Sequence, residues 1–144
     1  MNFSEDGTKL IVGVFSVVEA FETGGCYVYN GDGTKLLHTL LCEDEGGVSI
    51  AFMSPNIMIL AVAWYEKVCV FNVVTRYPLY TFLTKGYRYT KVITFSKNGQ
   101  RIFSSDGGTN IYGHDIYSGT QDFQCQLPEV ATSLVLCKNT LLVT

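Results

Sequence analysis

An internal repeat is the feature that most constrains the fold of this 144-residue chain. Asn30, Asn72 and Asp115 stand 42 and 43 residues apart, and the residues around them recur in the same frame. Each is preceded by one ring-bearing residue and followed by another eight positions later: Tyr29 and His38, Phe71 and Tyr80, His114 and Phe123. A period of about 40–45 residues indicates that one supersecondary unit is built several times along the chain.

Within each repeat, short apolar runs alternate with turn residues. Val48, Ile50 and Phe52 alternate with smaller side chains, as in a strand with one buried face, and no window of a dozen residues keeps a helical period. Glycine, asparagine and aspartate, which favour tight hairpin turns, separate the runs at short intervals. Four antiparallel strands per repeat are typical of a β-propeller blade, so we predict an all-β fold.

Two segments of the third repeat resemble the WD-repeat family of β-propellers. Residues 95–102 are similar to the first hairpin turn of that family, and residues 114–119 are similar to its Trp-Asp-x-x-Thr/Ser-Gly segment. The signature tryptophan is replaced by Tyr29, Phe71 and His114, and the Gly-His pair that usually precedes a unit is absent. The resemblance therefore implies the propeller architecture without the buried hydrogen-bond network of the family.

The repeat divides the chain into units at approximately residues 1–42, 43–85 and 86–127, followed by an incomplete unit at 128–144. We treat these units as one partial propeller of about three to three and a half blades. Because closed propellers have about 4–8 blades, we expect an incomplete ring. An open arc would leave apolar sheet faces uncovered. We therefore expect the remaining blades to come from the same polypeptide in cis or from a completing chain in trans.

Charge and cysteine content narrow the class of partner and the compartment. The net charge is -3, which argues against nucleic acid, and the longest apolar stretches fall short of the ~20 residues that span a bilayer. We expect no nucleic-acid partner and consider a membrane partner improbable. The cysteines are odd in number and lack Cys-x-x-Cys spacing, which favours a reducing, cytoplasmic location. They are Cys26, Cys42, Cys69, Cys125 and Cys137.

No residue pattern in the sequence indicates catalysis. His114 takes the place of the signature tryptophan and His38 aligns with Tyr80, so we interpret both imidazoles as packing groups. No cysteine or histidine spacing matches a metal site, and residues 31–35 lack the spacing of a phosphate-binding loop. We therefore predict a protein that is not an enzyme and holds no metal or cofactor.

A set of aromatic, arginine and acidic residues is our predicted partner-binding patch. In the repeat frame these residues fall on the connections between blades and on the hairpins between second and third strands. Aromatic and arginine side chains are enriched at binding hot spots. Phe21 lies in an insertion at residues 15–25, which we interpret either as a longer solvated hairpin or as a recognition loop. The patch comprises Trp64, Tyr65, Tyr87, Arg88, Tyr89, Glu43, Asp44, Glu45 and Phe21.

These observations favour a non-catalytic scaffold that presents its loops to a protein or peptide. Two alternatives remain open at this point. A small closed β-barrel that binds a hydrophobic ligand is also short, all-β and rich in aromatic residues. A phosphoinositide-binding propeller would have a similar blade pattern, although residues 82–86 lack the two arginines of the Phe-Arg-Arg-Gly motif that such families use.

Overall fold

The computed structural model of the chain describes residues 1–4, 6–18, 21–42, 50–54, 56, 58–64, 67–84, 92–137 and 140–144. These residues form strands and turns, and they include no helix long and apolar enough to cross a membrane. The strands are β1 (Asn2–Phe3), β2 (Lys9–Val18), β3 (Phe21–Asn30), β4 (Leu36–Cys42), β5 (Ile50–Met53), β6 (Ile59–Trp64), β7 (Lys67–Asn72), β8 (Pro78–Leu83), β9 (Ile93–Phe95), β10 (Arg101–Ser105), β11 (Asn110–Asp115), β12 (Gln121–Gln126), β13 (Leu134–Cys137) and β14 (Thr140–Val143).

The strands pair in chain order into antiparallel sheets. The first sheet has the strand order β1-β2-β3-β4, the second sheet β5-β6-β7-β8 and the third sheet β9-β10-β11-β12. Strands β13 and β14 form a two-stranded sheet. The first strands β1, β5, β9 and β13 contact one another in succession, so the sheets stand side by side in an arc. The predicted all-β fold, a partial β-propeller with no closed ring among the described strands, is confirmed.

Strand pairing reproduces the frame of the sequence repeat. In every four-stranded sheet, the residue two positions before the aligned Asn or Asp lies directly opposite the residue eight positions after it. The pairs are Val28–His38, Val70–Tyr80 and Gly113–Phe123. The repeat therefore describes equivalent positions in space.

Alternation along the strands of the second sheet builds two separate cores. Leu60 and Val62 of β6 pack with Ile11 and Val28 of the first sheet. The intervening Ala61 and Ala63, together with Val68 and Val70 of β7, pack with Ile93 and Ile102 of the third sheet. The central strands β6 and β7 are thus buried on both faces, which explains their high apolar content.

A β-bulge recurs between the third and fourth strands of each four-stranded sheet. The pairing shifts after Val28, Val70 and Gly113, which leaves one extra residue on the outer strand. The extra residues are Leu37, Leu79 and Asp122. A bulge bends its strand and redirects the side chain at that position, so these residues leave the regular alternation.

The turns also repeat, and we define the end of the sheets that carries them as the turn end. In the first-to-second strand turns, the Ser4, Ser54 and Ser96 hydroxyls accept a hydrogen bond from the backbone N–H five residues later, at 2.9, 3.1 and 2.9 Å. In the third-to-fourth strand turns, Gly33, Arg76 and Gly119 adopt positive φ values of 75°, 66° and 68°. Arginine thus occupies a left-handed position that favours glycine.

The insertion near the start of the chain extends the β2–β3 hairpin. Both strands have ten residues, compared with six each in β6 and β7, and they pair as far as Val18 and Phe21. This confirms the longer hairpin, while its role in recognition stays a prediction.

Two of the cysteines are core residues. Cys26 and Cys69 are buried in the core shared by the first and second sheets, where they pack as small hydrophobic side chains. Burial raises the pKa of the Cys26 thiol to about 12. The Thr81 hydroxyl donates to Cys69 Sγ at 3.2 Å.

Candidate functional site

Most of the predicted patch lies outside the described residues. This holds for Glu43, Asp44, Glu45, Tyr65, Tyr87, Arg88 and Tyr89. Trp64 is the last residue of β6, opposite Lys67, and Phe21 is the first residue of β3. Those two strand termini are on the end opposite the turn end, which we define as the loop end.

The third sheet shows how connections meet at the loop end. The backbone N–H of Leu127 donates to Thr109 O at 2.7 Å, and that of Ala131 donates to Gly108 O at 3.4 Å. The β10–β11 hairpin therefore lies beside the connection that leads to β13, as the repeat frame predicts. Asp106 fixes this hairpin because its carboxylate accepts hydrogen bonds from Gly108 N at 2.7 Å and Asn110 Nδ2 at 2.7 Å.

The candidate site that the structure adds is a groove at the turn end, between the second and third sheets. Its volume is about 400 Å³, within the ~300–1,000 Å³ of ligand pockets. None of the described residues that line the groove has a charged side chain. These are Asn56, Met58, Ile59, Asn72, Leu79, Tyr80, Gly99, Ile116 and Tyr117.

Three apolar side chains of the groove are unusually accessible to solvent. Met58 and Leu79 are each 48% exposed, and Tyr117 is 78% exposed. Leu79 is the bulge residue of β8, whereas the equivalent Asp122 of β12 forms an ion pair with Arg101 at 2.7 Å. Leu79 thus adds exposed apolar surface to the groove at a position where the third sheet has a charged side chain.

Hydrogen bonds between turns hold the walls of the groove. On the second sheet, Val73 N donates to Met58 O at 2.8 Å, which ties the β7–β8 turn to the β5–β6 turn. On the third sheet, Ile116 N donates to Gln100 O at 2.9 Å in the corresponding place. Each wall is therefore fixed by a backbone contact between two turns of its own sheet.

Tyr80 joins the two walls at the base of the groove. Its hydroxyl donates to Asp115 O at 3.2 Å, across the boundary between the sheets. Burial, with a smaller contribution from the charge of Asp115, raises the pKa of this phenol. A Cβ atom placed on Gly119 would lie 3.2 Å from the Tyr80 ring, so glycine provides the room for this contact.

His114 and Phe82 join the same two sheets deeper in the structure. Their rings stack with centroids 3.7 Å apart and an interplanar angle of 18°. Burial lowers the pKa of His114 to about 4, although the nearby Asp122 acts in the opposite direction. Nδ1 of His114 has no hydrogen-bond partner in the described part of the chain. The imidazole is thus a neutral packing group, as predicted from its place in the repeat.

The groove was missed by the sequence interpretation, which concentrated on the loop end. Leu79 carried a usable signal, because Leu37 and Asp122 stand 42 and 43 residues from it in the repeat frame. A leucine where the next unit has aspartate suggests a position that is not needed for folding. The concave shape of the groove could not be predicted from the sequence in this way, because it arises between turns that belong to different units.

The groups that line the groove determine which contacts it can make. No group of three or more histidine, cysteine, aspartate or glutamate side chains within metal-binding distance occurs among the residues that the structure describes. The groove itself offers apolar surface, two asparagine amides and one exposed phenol. Such a lining fits an apolar segment with hydrogen-bonding groups.

Comparison with known proteins supports the fold alone. No protein-family model and no curated protein matches the sequence. Among solved structures, a chain of the "Crystal Structure of Mitotic Checkpoint Complex" matches with a TM-score of 0.70 and 13% sequence identity. The match covers 93% of this chain and 52% of that chain. This protein is therefore similar to about half of that structure, and its fold is propeller-like and all-β.

Proposed function

We propose that the chain is a WD-repeat-like propeller segment that binds a protein or peptide and performs no catalysis. The observation that carries this proposal is the apolar groove between the second and third sheets, with Met58, Leu79 and Tyr117 exposed at its edge. The likeness to a chain of a multiprotein complex is compatible with an interaction role. Degenerate repeats support the WD-repeat assignment.

The arrangement of the sheets argues against the barrel alternative. A ligand-binding barrel needs one continuous closed sheet. The described strands instead fall into three four-stranded sheets and one two-stranded sheet, with separate cores between successive sheets. An enclosed hydrophobic ligand therefore has no barrel interior to occupy.

We test this proposal by comparing what two variants capture from cell extract. Met58→Asp combined with Leu79→Asp places two carboxylates in the groove. The matched control, Val74→Asp, changes an apolar residue that is 66% exposed on the same sheet and does not line the groove. We expect proteins retained by the wild type and the control to be lost from the double variant. Identical capture by all three chains would remove the groove from the proposal.

The loop-end patch is the second surface we propose for the same function. The combined variant Tyr65→Ala, Tyr87→Ala and Arg88→Ala should weaken partner capture without lowering the melting temperature. Unchanged capture, or gross unfolding, would count against the patch. Comparing this variant with the groove variant assigns binding to one end of the sheets or to both.

We also propose that further blades complete the ring, either in the same polypeptide or from a second chain. The supporting observations are an arc of sheets and a match to about half of a longer propeller-like chain. Gel filtration and thermal melting of the 144-residue chain test this idea. We expect association or a broad, low-temperature melt, and a monodisperse monomer with a cooperative melt would contradict it.

A further inference from the structure

The groove has a polar component that specifies its occupant more closely. This inference rests on the proposed function and asks which chemistry the groove recognises. Asn56 and Asn72 both line it, and both come from turns of the second sheet. Their hydrogen bonds fix which way each side-chain amide is oriented.

Each asparagine uses its carbonyl oxygen to hold its own turn. Asn56 Oδ1 accepts from the Ser54 hydroxyl at 2.5 Å and from Met58 N at 3.3 Å. Asn72 Oδ1 accepts from the backbone N–H groups of Val74 and Thr75 at 2.9 and 3.0 Å. A backbone N–H only donates, so the atom that faces it must be the oxygen.

The two amide NH₂ groups are consequently turned away from their turns. Neither Asn56 Nδ2 nor Asn72 Nδ2 has a hydrogen-bond partner in the described part of the chain. Because both residues line the groove, it combines apolar walls with two solvent-accessible amide donors. Among the described lining residues there is no cationic side chain that would compensate a carboxylate.

We propose that the groove binds an extended, uncharged apolar segment of a partner protein, whose main-chain carbonyl oxygens accept hydrogen bonds from Asn56 and Asn72. Main-chain carbonyls are the acceptors that every extended peptide offers at regular intervals, and side-chain pockets then select the apolar residues. The volume of about 400 Å³ suits a short stretch of chain rather than a folded domain.

Equivalent positions in the other sheets show which substitution would remove the amide donors of Asn56 and Asn72 without disturbing their turns. Asp6 occupies the position of Asn56 in the first sheet, and its Oδ1 accepts from the Ser4 hydroxyl at 2.7 Å and from Thr8 N at 2.9 Å. Asp115 occupies the position of Asn72 in the third sheet and accepts from Tyr117 N at 3.0 Å. Asparagine-to-aspartate changes therefore keep both turns while removing both donors.

The probe is a displayed library of random decapeptides, selected on the wild-type chain, with affinities of the enriched peptides measured by fluorescence polarisation. We expect peptides rich in leucine, isoleucine and phenylalanine with no required charge. The double variant Asn56→Asp and Asn72→Asp should bind them about ten-fold more weakly, because two donors are lost and two negative charges meet the carbonyls. Asn30→Asp, at the position of Asn72 in the first sheet, is the control and should leave the affinities unchanged.

The outcomes separate this inference from the proposed function. Peptides that bind the Asn56→Asp, Asn72→Asp variant as well as the wild type, or that need an aspartate or glutamate of their own, overturn main-chain recognition but leave the groove as a binding site. Both the inference and the proposed function are overturned if peptides bind the Met58→Asp, Leu79→Asp variant as tightly as the wild type. A library that yields no binder overturns both as well. Analytical ultracentrifugation tests for a second copy as the occupant. If the wild type is a dimer and Met58→Asp with Leu79→Asp makes it monomeric, the inference is also overturned.

Discussion

The boundary between the first and second sheets and the boundary between the second and third use the same repeat positions with different residues. In the first boundary, Leu40 of β4 and Phe71 of β7 share an apolar core. In the second, the equivalent residues are Phe82 of β8 and His114 of β11, which stack as two rings. The equivalent positions thus hold two hydrocarbon side chains at the first boundary. At the second boundary, one of them is an imidazole that can bind a proton.

The turn end shows the same contrast. Tyr80 packs beside Gly119 and donates to Asp115 O across the second boundary. His38, its equivalent in the first sheet, lies close enough to Arg76 for that charge to help lower its pKa, although burial is the larger cause. The phenol beside glycine makes an uncharged contact, whereas the arginine beside the imidazole disfavours the protonated form of His38. The groove lies at the neutral boundary.

The largest effect should come from removing the ring stack. Phe82 is buried against His114, so Phe82→Ala should lower the free energy of unfolding by about 3–5 kcal/mol through lost burial and a cavity. Chemical denaturation measures the change. Leu83→Ala is the matched control, because Leu83 is the next residue and is 63% exposed. Its effect should stay below about 0.5 kcal/mol, and equal effects of the two changes would show that the stack contributes nothing specific.

The second boundary should also be the one that acid weakens more. His114 has a pKa of about 4 in the folded chain against 6.5 for an unperturbed histidine. Between these values the unfolded chain binds a proton and the folded chain does not, so stability should fall as the pH decreases from 6.5 towards 4. The loss should be on the order of 2–3 kcal/mol. Denaturation curves at several pH values within this window measure it.

A variant that makes the second boundary resemble the first is the control for this pH effect. His114→Phe introduces the residue found at the equivalent Phe71 position. It should retain stability at neutral pH and flatten the dependence between pH 6.5 and 4. The part that remains includes a contribution of His38, whose pKa is also lowered, first by burial and then by Arg76 and Lys9. Near pH 4 it also includes the carboxyl groups of Asp6, Asp32 and Asp115, whose pKa values are lowered by hydrogen bonds. An unchanged slope in His114→Phe would contradict the assignment to His114.

A smaller effect is expected where Tyr80 meets Gly119. Gly119→Ala adds a Cβ atom 3.2 Å from the Tyr80 ring and places alanine at a φ of 68°. Each consequence is unfavourable, and we expect a loss of about 1–2 kcal/mol in unfolding free energy. Gly7→Ala separates the two causes, because Gly7 has a φ of 70° with no atom within 4 Å of the added Cβ. A loss in Gly119→Ala that equals the loss in Gly7→Ala would assign all of it to the backbone.

The sequence predicts those parts of this molecule that each unit specifies by itself. Hairpin pairs such as Val70–Tyr80 follow from the repeat, and the Ser54 and Ser96 turns follow from recurring serine and asparagine. The groove depends instead on the one-residue bulge that redirects Leu79 and on the distance between turns of neighbouring sheets. The bulge recurs at the same repeat position, but it shifts the alternation of its strand by one residue and so hides which side chain is redirected. Packing between sheets is non-local, so no single unit encodes it.

The predicted patch illustrates the same division. Trp64 does end a strand at the loop end, as the frame requires, because strand termini follow from the repeat. Which of the aromatic residues there could form one surface depends on connections between sheets, and those vary in length and composition from one unit to the next. The residue types in the sequence could therefore suggest a binding surface. Its shape depends on how the sheets pack together, which the sequence pattern does not give.

The smallest change tests the first boundary, and its sign matters more than its size. Arg76 holds a φ of 66° where the first and third sheets have Gly33 and Gly119, so Arg76→Gly should relieve a left-handed backbone. The gain is offset by the greater freedom of glycine in the unfolded chain, which leaves a net stabilisation of about 0.5 kcal/mol. The same change removes the positive charge beside His38, so its pKa, followed by NMR titration of the imidazole, should rise towards the ordinary value. Stabilisation without a shift in the His38 titration would show that the arginine acts on this boundary through its backbone alone, and destabilisation would mean that its side chain contributes a contact worth more than the strain.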